Sequence, residues 1–196
     1  MGASLDDGLV EQVSSGRDSG AGIRVINGET TGFAYTADLS EAGLMAAAGA
    51  AAAAASTGDG GTHTVSLGTA KRHPVNTVRI APQSVPKARK VELLMIANDA
   101  ARGIDSSIVQ VSAGYSDATR RILIANSDGV FATDEQVRTI FRVSAVANGD
   151  AGMQTGYDSL GHTIGFELFE EENINELAER AARQAVTKLR ARPAPS

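Results

Sequence analysis

The chain has 196 residues, no cysteine and a formal net charge of −5. That length fits one domain or two small ones, and zero cysteine removes the disulfide-stapled, iron–sulfur and Cys-ligated zinc classes. The acidic balance argues against a general nucleic-acid binder, which needs a basic face, and aromatics at 4 % without Trp leave little for a base- or sugar-stacking platform.

The first third reads as tight antiparallel strands. Asp7-Gly8 marks a turn, and Leu9–Val13 is strand-like. Ile23–Ile26 precedes the hairpin signal Asn27-Gly28, and Phe33–Thr36 returns beside it. Asp38 followed three residues later by Glu41 makes a capping-box pattern, so a helix should start there. It should run through the alanines, the best helix formers, with Gly49 costing about 1 kcal/mol. Ser56–Gly61 should end it. The polar stretch Ser56–Pro74 reads as a linker or long loop, and Val75–Ile80 as a short strand. A second helix is expected over Val85–Arg102, with Pro86 in its first turn and Gly103 as its stop. Val91, Leu94, Met95 and Ala101 would form its buried stripe. Lys87, Arg89 and Lys90 crowd the positive end of its dipole and read as a solvated face, or as a contact for an acidic partner.

From Ser107 to Asp158 the pattern is an antiparallel meander. Val109, Val111, Ala113 and Tyr115 alternate with polar residues, as do Val137, Thr139, Phe141, Val143 and Ala145. Ser127-Asp128-Gly129 and Asn148-Gly149 are the turns, the latter suited to a type I′ hairpin. The last helix has the cleanest signal. Ile174, Leu177, Ala178, Ala181, Ala182, Ala185, Val186 and Leu189 recur at the helical period, and Asn173 with Glu176 makes its start box. No repeat is evident. The expected fold class is therefore α+β, an antiparallel sheet or meander with helices packed on one face. The expected division is 1–56, a linker at 57–74, and 75–196, with one continuous domain 1–196 as the alternative.

No reaction centre is legible. His63, His73 and His162 are dispersed, and no His-Glu-x-x-His pattern occurs. Gly16–Gly22 is glycine-rich but lacks the Lys-Ser/Thr of a P-loop and leads into a strand, so it offers no helix N-terminus to a phosphate. Asn126–Gly129 lacks the remaining ligands of a calcium loop and reads as a turn. No serine sits in a Gly-x-Ser-x-Gly elbow. Glu170, Glu171 and Glu172 read as a helix-start cluster, since paired catalytic carboxylates must converge on one bond. No catalytic, cofactor-binding or metal residue is assigned, so the chain is expected to bind neither zinc nor duplex DNA. No signal peptide is visible, Asp6 breaks a myristoylation motif, and the run Leu44–Ala55 is too short to span a bilayer. A cytoplasmic location without membrane contact is the expectation.

Several segments taken in order point to a family. Val13–Gly20 leads into Gly22–Val25. Gly32–Thr36, Asp38–Ser40 and Ile124–Gly129 follow. Gln154–Tyr157 precedes Gly165–Phe169, and the chain closes on Ala191–Pro195. This ordered set resembles the N-terminal region of the TldD/PmbA metallopeptidases, also described as modulators of DNA gyrase, and leans toward the TldD branch. The resemblance implies a zinc-dependent peptidase built from TldD and PmbA-like (TldE) subunits, which trims small peptides and unfolded segments. It also implies a zinc site in a C-terminal domain that would begin just after Pro195. The implied function is a non-catalytic N-terminal region, not active alone, that serves subunit assembly and the peptide-binding cleft. Its partner would be a TldD/PmbA-type subunit, as homo- or heterodimer. The alternatives are a stand-alone module pairing with a PmbA-like subunit, or an inactive gene fragment. Against the family pattern the chain reads as clipped at both ends, so Leu9–Val13 is expected to have lost its strand partner and to promote self-association.

Overall fold

The computed structural model describes residues 1–56, 66, 68–69, 77–150 and 152–191. In chain order they form β1 (Gly2–Asp6), β2 (Leu9–Ser14), β3 (Ala21–Asn27), β4 (Thr30–Thr36), α1 (Glu41–Ala54) and β5 (Gly68–Thr69). A 3-10 turn (Pro82–Ser84) and α2 (Lys87–Arg102) follow, then β6 (Ile108–Ala125), β7 (Val130–Gly149), β8 (Gly152–His162), α3 (Leu168–Glu171) and α4 (Ile174–Leu189). The fold is α+β with antiparallel sheets. The chain divides into two compact units: residues 1–15, 69–124 and 131–196 in one, and 16–68 and 125–130 in the other. Most of the expected linker at 57–74, with His63 and His73, lies outside the described residues.

In the first unit the sheet runs β2-β1-β6-β7, and β8 pairs with β7. The expected alternation holds along β7: Val137, Thr139, Phe141, Val143 and Ala145 are all buried. On β6, Val111, Ala113 and Tyr115 are buried, but Val109 is 44 % exposed. Helices α2 and α4 join Val111, Ala113, Tyr115, Phe141, Val143 and Ala145 in one core. The stripe expected on α4 is buried from Ile174 to Val186, and Leu189 packs at its margin. Asn173 caps that helix by accepting from the Asn175 amide at 3.0 Å, and its own amide donates to Glu176.

The seat of α4 on β8 is unusually close. A Cβ built on Gly156 would stand 1.9 Å from the Ala181 carbonyl oxygen and 2.6 Å from the Ala185 amide nitrogen. Only glycine in the strand and alanines in the helix let the two backbones approach this far.

Helix α2 begins at Lys87, with Pro86 as its cap and not in its first turn. Its buried face is rotated from the expected one. Lys90, Leu93, Leu94, Ala97, Asn98 and Ala101 point inward, Val91 is half-buried, and Met95 is exposed. Lys90 therefore leaves the expected solvated face. It is 2 % exposed, and its ammonium donates to Asp117 Oδ2 at 2.7 Å. A buried ammonium is tolerated because a carboxylate on β6 is there to pair it.

The N-terminal reading is also corrected. Leu9–Ser14 has its partner: it pairs antiparallel with Gly2–Asp6, which pairs in turn with β6. Asp7 (φ 50°) and Gly8 (φ 81°) make the turn, both left-handed as a type I′ hairpin requires. β2 is itself the edge of that sheet, so its outer side has no strand beside it among the described residues. The register also shifts between Ser4 and Leu5, an irregularity of the kind that blunts an edge strand. The expected strand at Val75–Ile80 does not form over its described part, 77–80. The Asn148-Gly149 turn is displaced as well, since both residues remain in the ladder, opposite Met153 and Gly152.

In the second unit β3 and β4 form a hairpin. Asn27 pairs with Thr30, so the turn is Gly28-Glu29, one residue later than Asn27-Gly28. Gly28 alone is left-handed (φ 58°), as in a type II′ turn. The cap of α1 is Ser40, not Asp38: Ser40 Oγ accepts from the Gly43 amide at 3.1 Å, while Asp38 Oδ1 accepts from the Ser40 amide. The close seat recurs here. A Cβ on Gly32 would lie 1.9 Å from Ala51 O and 2.8 Å from Ala55 N.

Gly49 has open space around its Cβ position. Gly49→Ala should therefore stabilise α1 by about 0.5–1 kcal/mol, the helix-propensity difference. Slower amide exchange across Glu41–Ala54 checks this; unchanged exchange contradicts it.

Candidate functional site

The helices cover one face of the first unit's sheet. On the other face, Ser4 and Asp6 of β1 alternate with buried Ala3 and Leu5, and lie opposite Gly114 and Ser112 of β6. Tyr157 of β8 pairs with Ser144 of β7, and Arg142 with Ser159. Ser4, Asp6, Ser112, Gly114, Arg142, Ser144 and Tyr157 line a shallow depression of about 360 Å³.

Its charges are arranged differently at each position. Asp6 accepts from the Ser112 hydroxyl and from Gln110 Nε2, and these bonds hold its carboxyl below the usual carboxylate range. Arg142 makes no ion pair among the described residues. Its side chain lies over Gly114, where a Cβ would come within 2.9 Å of its Nε and 3.2 Å of its Cγ. Glycine thus lets the guanidinium stem rest flat on the sheet. Tyr157 stands 52 % exposed. An unpaired planar cation, a bound carboxylate and an exposed phenol make a face suited to binding. No histidine lies among these residues: His162 is exposed at the end of β8.

The other sequence readings resolve as follows. Among the described residues no group of three or more His, Cys, Asp or Glu is placed to hold a metal ion. Among the described residues the donor set does not fit a metallopeptidase zinc. Gly16–Gly22 joins β2 to β3 and opens no helix. Asn126–Gly129 is a turn, with Asn126 Oδ1 accepting the amides of Asp128 and Val130. Glu170 and Glu171 lie beside Arg79, at 3.5 and 2.7 Å. No described helix is long and apolar enough to cross a membrane.

Two buried charges escaped the sequence reading, Lys90 and Glu167. Each had a signal. Lys90 stands three and four residues before buried Leu93 and Leu94, on their helix face. Glu167 is the single charge in the apolar run Ile164–Phe169.

Two family models together cover most of the chain. It matches the PmbA/TldA metallopeptidase domain 1 over residues 1–55 and the central domain of the same family over residues 80–189. The chain belongs to the TldD/PmbA metallopeptidase family. It is 35 % identical over 195 residues to a metalloprotease of Methanothermobacter thermautotrophicus, covering 98 % of this chain and 41 % of that protein. It is 29 % identical to the metalloprotease TldD homolog of Haemophilus influenzae, with the same coverage. Among solved structures, a protein described as a modulator of a DNA gyrase from Thermotoga maritima superimposes with a TM-score of 0.78 at 18 % identity, covering 99 % of this chain and 43 % of that one. TldE from Thermococcus kodakarensis gives 0.70 at 18 % identity, covering 94 % and 41 %. The chain thus spans about two fifths of the length of the curated relatives it matches.

Proposed function

We propose that the chain is the non-catalytic N-terminal region of a TldD-like zinc metallopeptidase, serving subunit assembly and the peptide-binding cleft. The observation that carries this reading is the uncovered polar face of the first unit's sheet, with Arg142 unpaired at its middle. A sheet packed on one side only presents its other side to solvent or to a partner. The partner in this reading is a TldD/PmbA-type subunit, in a homo- or heterodimer in the cytoplasm. That TldE from Thermococcus kodakarensis shares the fold supports a common scaffold for both subunit types. In this reading zinc and proteolysis belong to the remaining three fifths of the relatives' length, and peptide is bound only together with that part.

Co-expression with a PmbA-like chain tests the reading. The wild-type chain should co-elute with it, and Arg142→Glu should weaken the complex roughly tenfold, as reversal of an interfacial charge does. Equal retention of both chains would remove the face from the interface. No complex with either would favour the inactive-fragment alternative.

A further inference from the structure

The segment Gly165–Phe169, one of those on which the family resemblance rests, takes no part in the open face. We propose that Glu167 is a latch: its carboxylate holds the strap Thr77–Ile80, and loss of that carboxylate lets the strap open as a local unit while the sheet stays folded.

The geometry is specific. Glu167 is 2 % exposed, and its oxygens accept from the amides of Arg79 (3.0 Å), Ile80 (2.9 Å) and Gly165 (3.1 Å). In return the Ile80 carbonyl accepts from the Phe166 amide at 2.8 Å. A Cβ on Gly165 would stand 2.1 Å from that carbonyl oxygen and 2.8 Å from Val78 Cγ1, so glycine is what lets the strap lie this close. Thr77–Ile80 forms no strand or helix, so the latch takes the place of ladder bonds. Ile80 is also where the central-domain match begins, which puts the latch at that domain's first residue.

Backbone donors on every side require an acceptor-only group. A carboxylate satisfies them, whereas an amide of the same shape would turn an NH₂ against an N–H. The second tie is of another kind. Arg79 reaches Glu170 and Glu171, but these side chains are about half exposed, and exposed pairs contribute little.

Amide exchange on the whole chain tests the latch. In Glu167→Gln the Arg79 and Ile80 amides should exchange about tenfold faster or more, the loss expected when bonds to a charged acceptor go. Those of Val137–Ala147 should be unchanged. Arg79→Ala should leave the Ile80 amide as it is in the wild type. Unaltered exchange in Glu167→Gln, or equal acceleration in Arg79→Ala, overturns the proposal. Should Glu167→Gln fail to fold, native-state exchange of the wild type in low denaturant decides. The proposal requires the strap amides to open at lower free energy than β7; opening only in the global transition overturns it.

Discussion

Asp117→Ala should destabilise the first unit by about 3–5 kcal/mol, because it strands the Lys90 ammonium in the core without a counter-charge. Asp117 is nearly buried, accepts from Lys90 Nζ at 2.7 Å, and lies 3.4 Å from the Met1 ammonium. Lys90 also sits 5.2 Å over the Tyr115 ring, a favourable but secondary contact. Removing both charges together, as Lys90→Met with Asp117→Leu, should restore most of the loss, since a well-packed apolar pair can replace a buried ion pair. Urea denaturation of the wild type, single and double variants measures this. A single variant within about 1 kcal/mol of the wild type would show that water reaches Lys90. The pH dependence has a defined sign. Burial works to raise the Asp117 pKa, but the groups around it, Lys90 first and then Tyr115 and the Met1 ammonium, outweigh it, and the carboxyl sits below its ordinary value. The stabilisation is therefore complete above the unfolded value of about 3.9 and is lost as pH falls through the lower folded value.

Gly156→Val should cost about 3 kcal/mol or more, as overpacking against backbone does. Valine suits strands, so propensity does not oppose it; the obstacle is the Ala181 carbonyl, 1.9 Å from the new Cβ. Backbone cannot step aside as a side chain does, so α4 must lift from β8. Gly161→Ala, on the same strand, supplies the comparison. Its Cβ would meet Ile140 Cγ1 at 3.3 Å, the end of a side chain that can give way, and the cost should stay below about 1 kcal/mol. Thermal unfolding of the two variants separates them. Equal midpoints would show that α4 tolerates displacement.

Periodicity carried the fold furthest where both partners of a contact are apolar. The stripe of α4 and the alternation of β7 were legible because burial there follows hydrophobicity, with Thr139 the polar exception. The face of α2 was not, because Lys90 and Asn98 are buried and Met95 is exposed. A pattern of apolar residues cannot show which charge will find a partner 27 positions away, as Lys90 finds Asp117. Turn chemistry placed the hairpins but missed two loops by one or two residues. Gly28 and Gly149 are each compatible with more than one register, and pairing along the strands decides between them. The open polar face was illegible for a related reason. Asp6 lies far in sequence from Arg142 and Tyr157, and only the sheet brings the three onto one surface. The close seats were invisible as well. Thr31-Gly32-Phe33 and Thr155-Gly156-Tyr157 look alike, but nothing in either tripeptide says that a helix backbone will rest on its glycine.

Those seats have an entropic consequence. Gly156, Ala178, Ala181, Ala182 and Ala185 have essentially no rotamers to lose, so this seat itself restricts almost no side-chain freedom, unlike the Arg180 and Lys188 contacts at its margin. The same holds for Gly32 with Ala47, Ala51 and Ala55. Such a joint also has no rotamers with which to repack. Where a contact of leucines and methionines can absorb a displacement by changing χ angles, this one can only hold its spacing or separate. Each helix should therefore move with its strand as a single stiff piece.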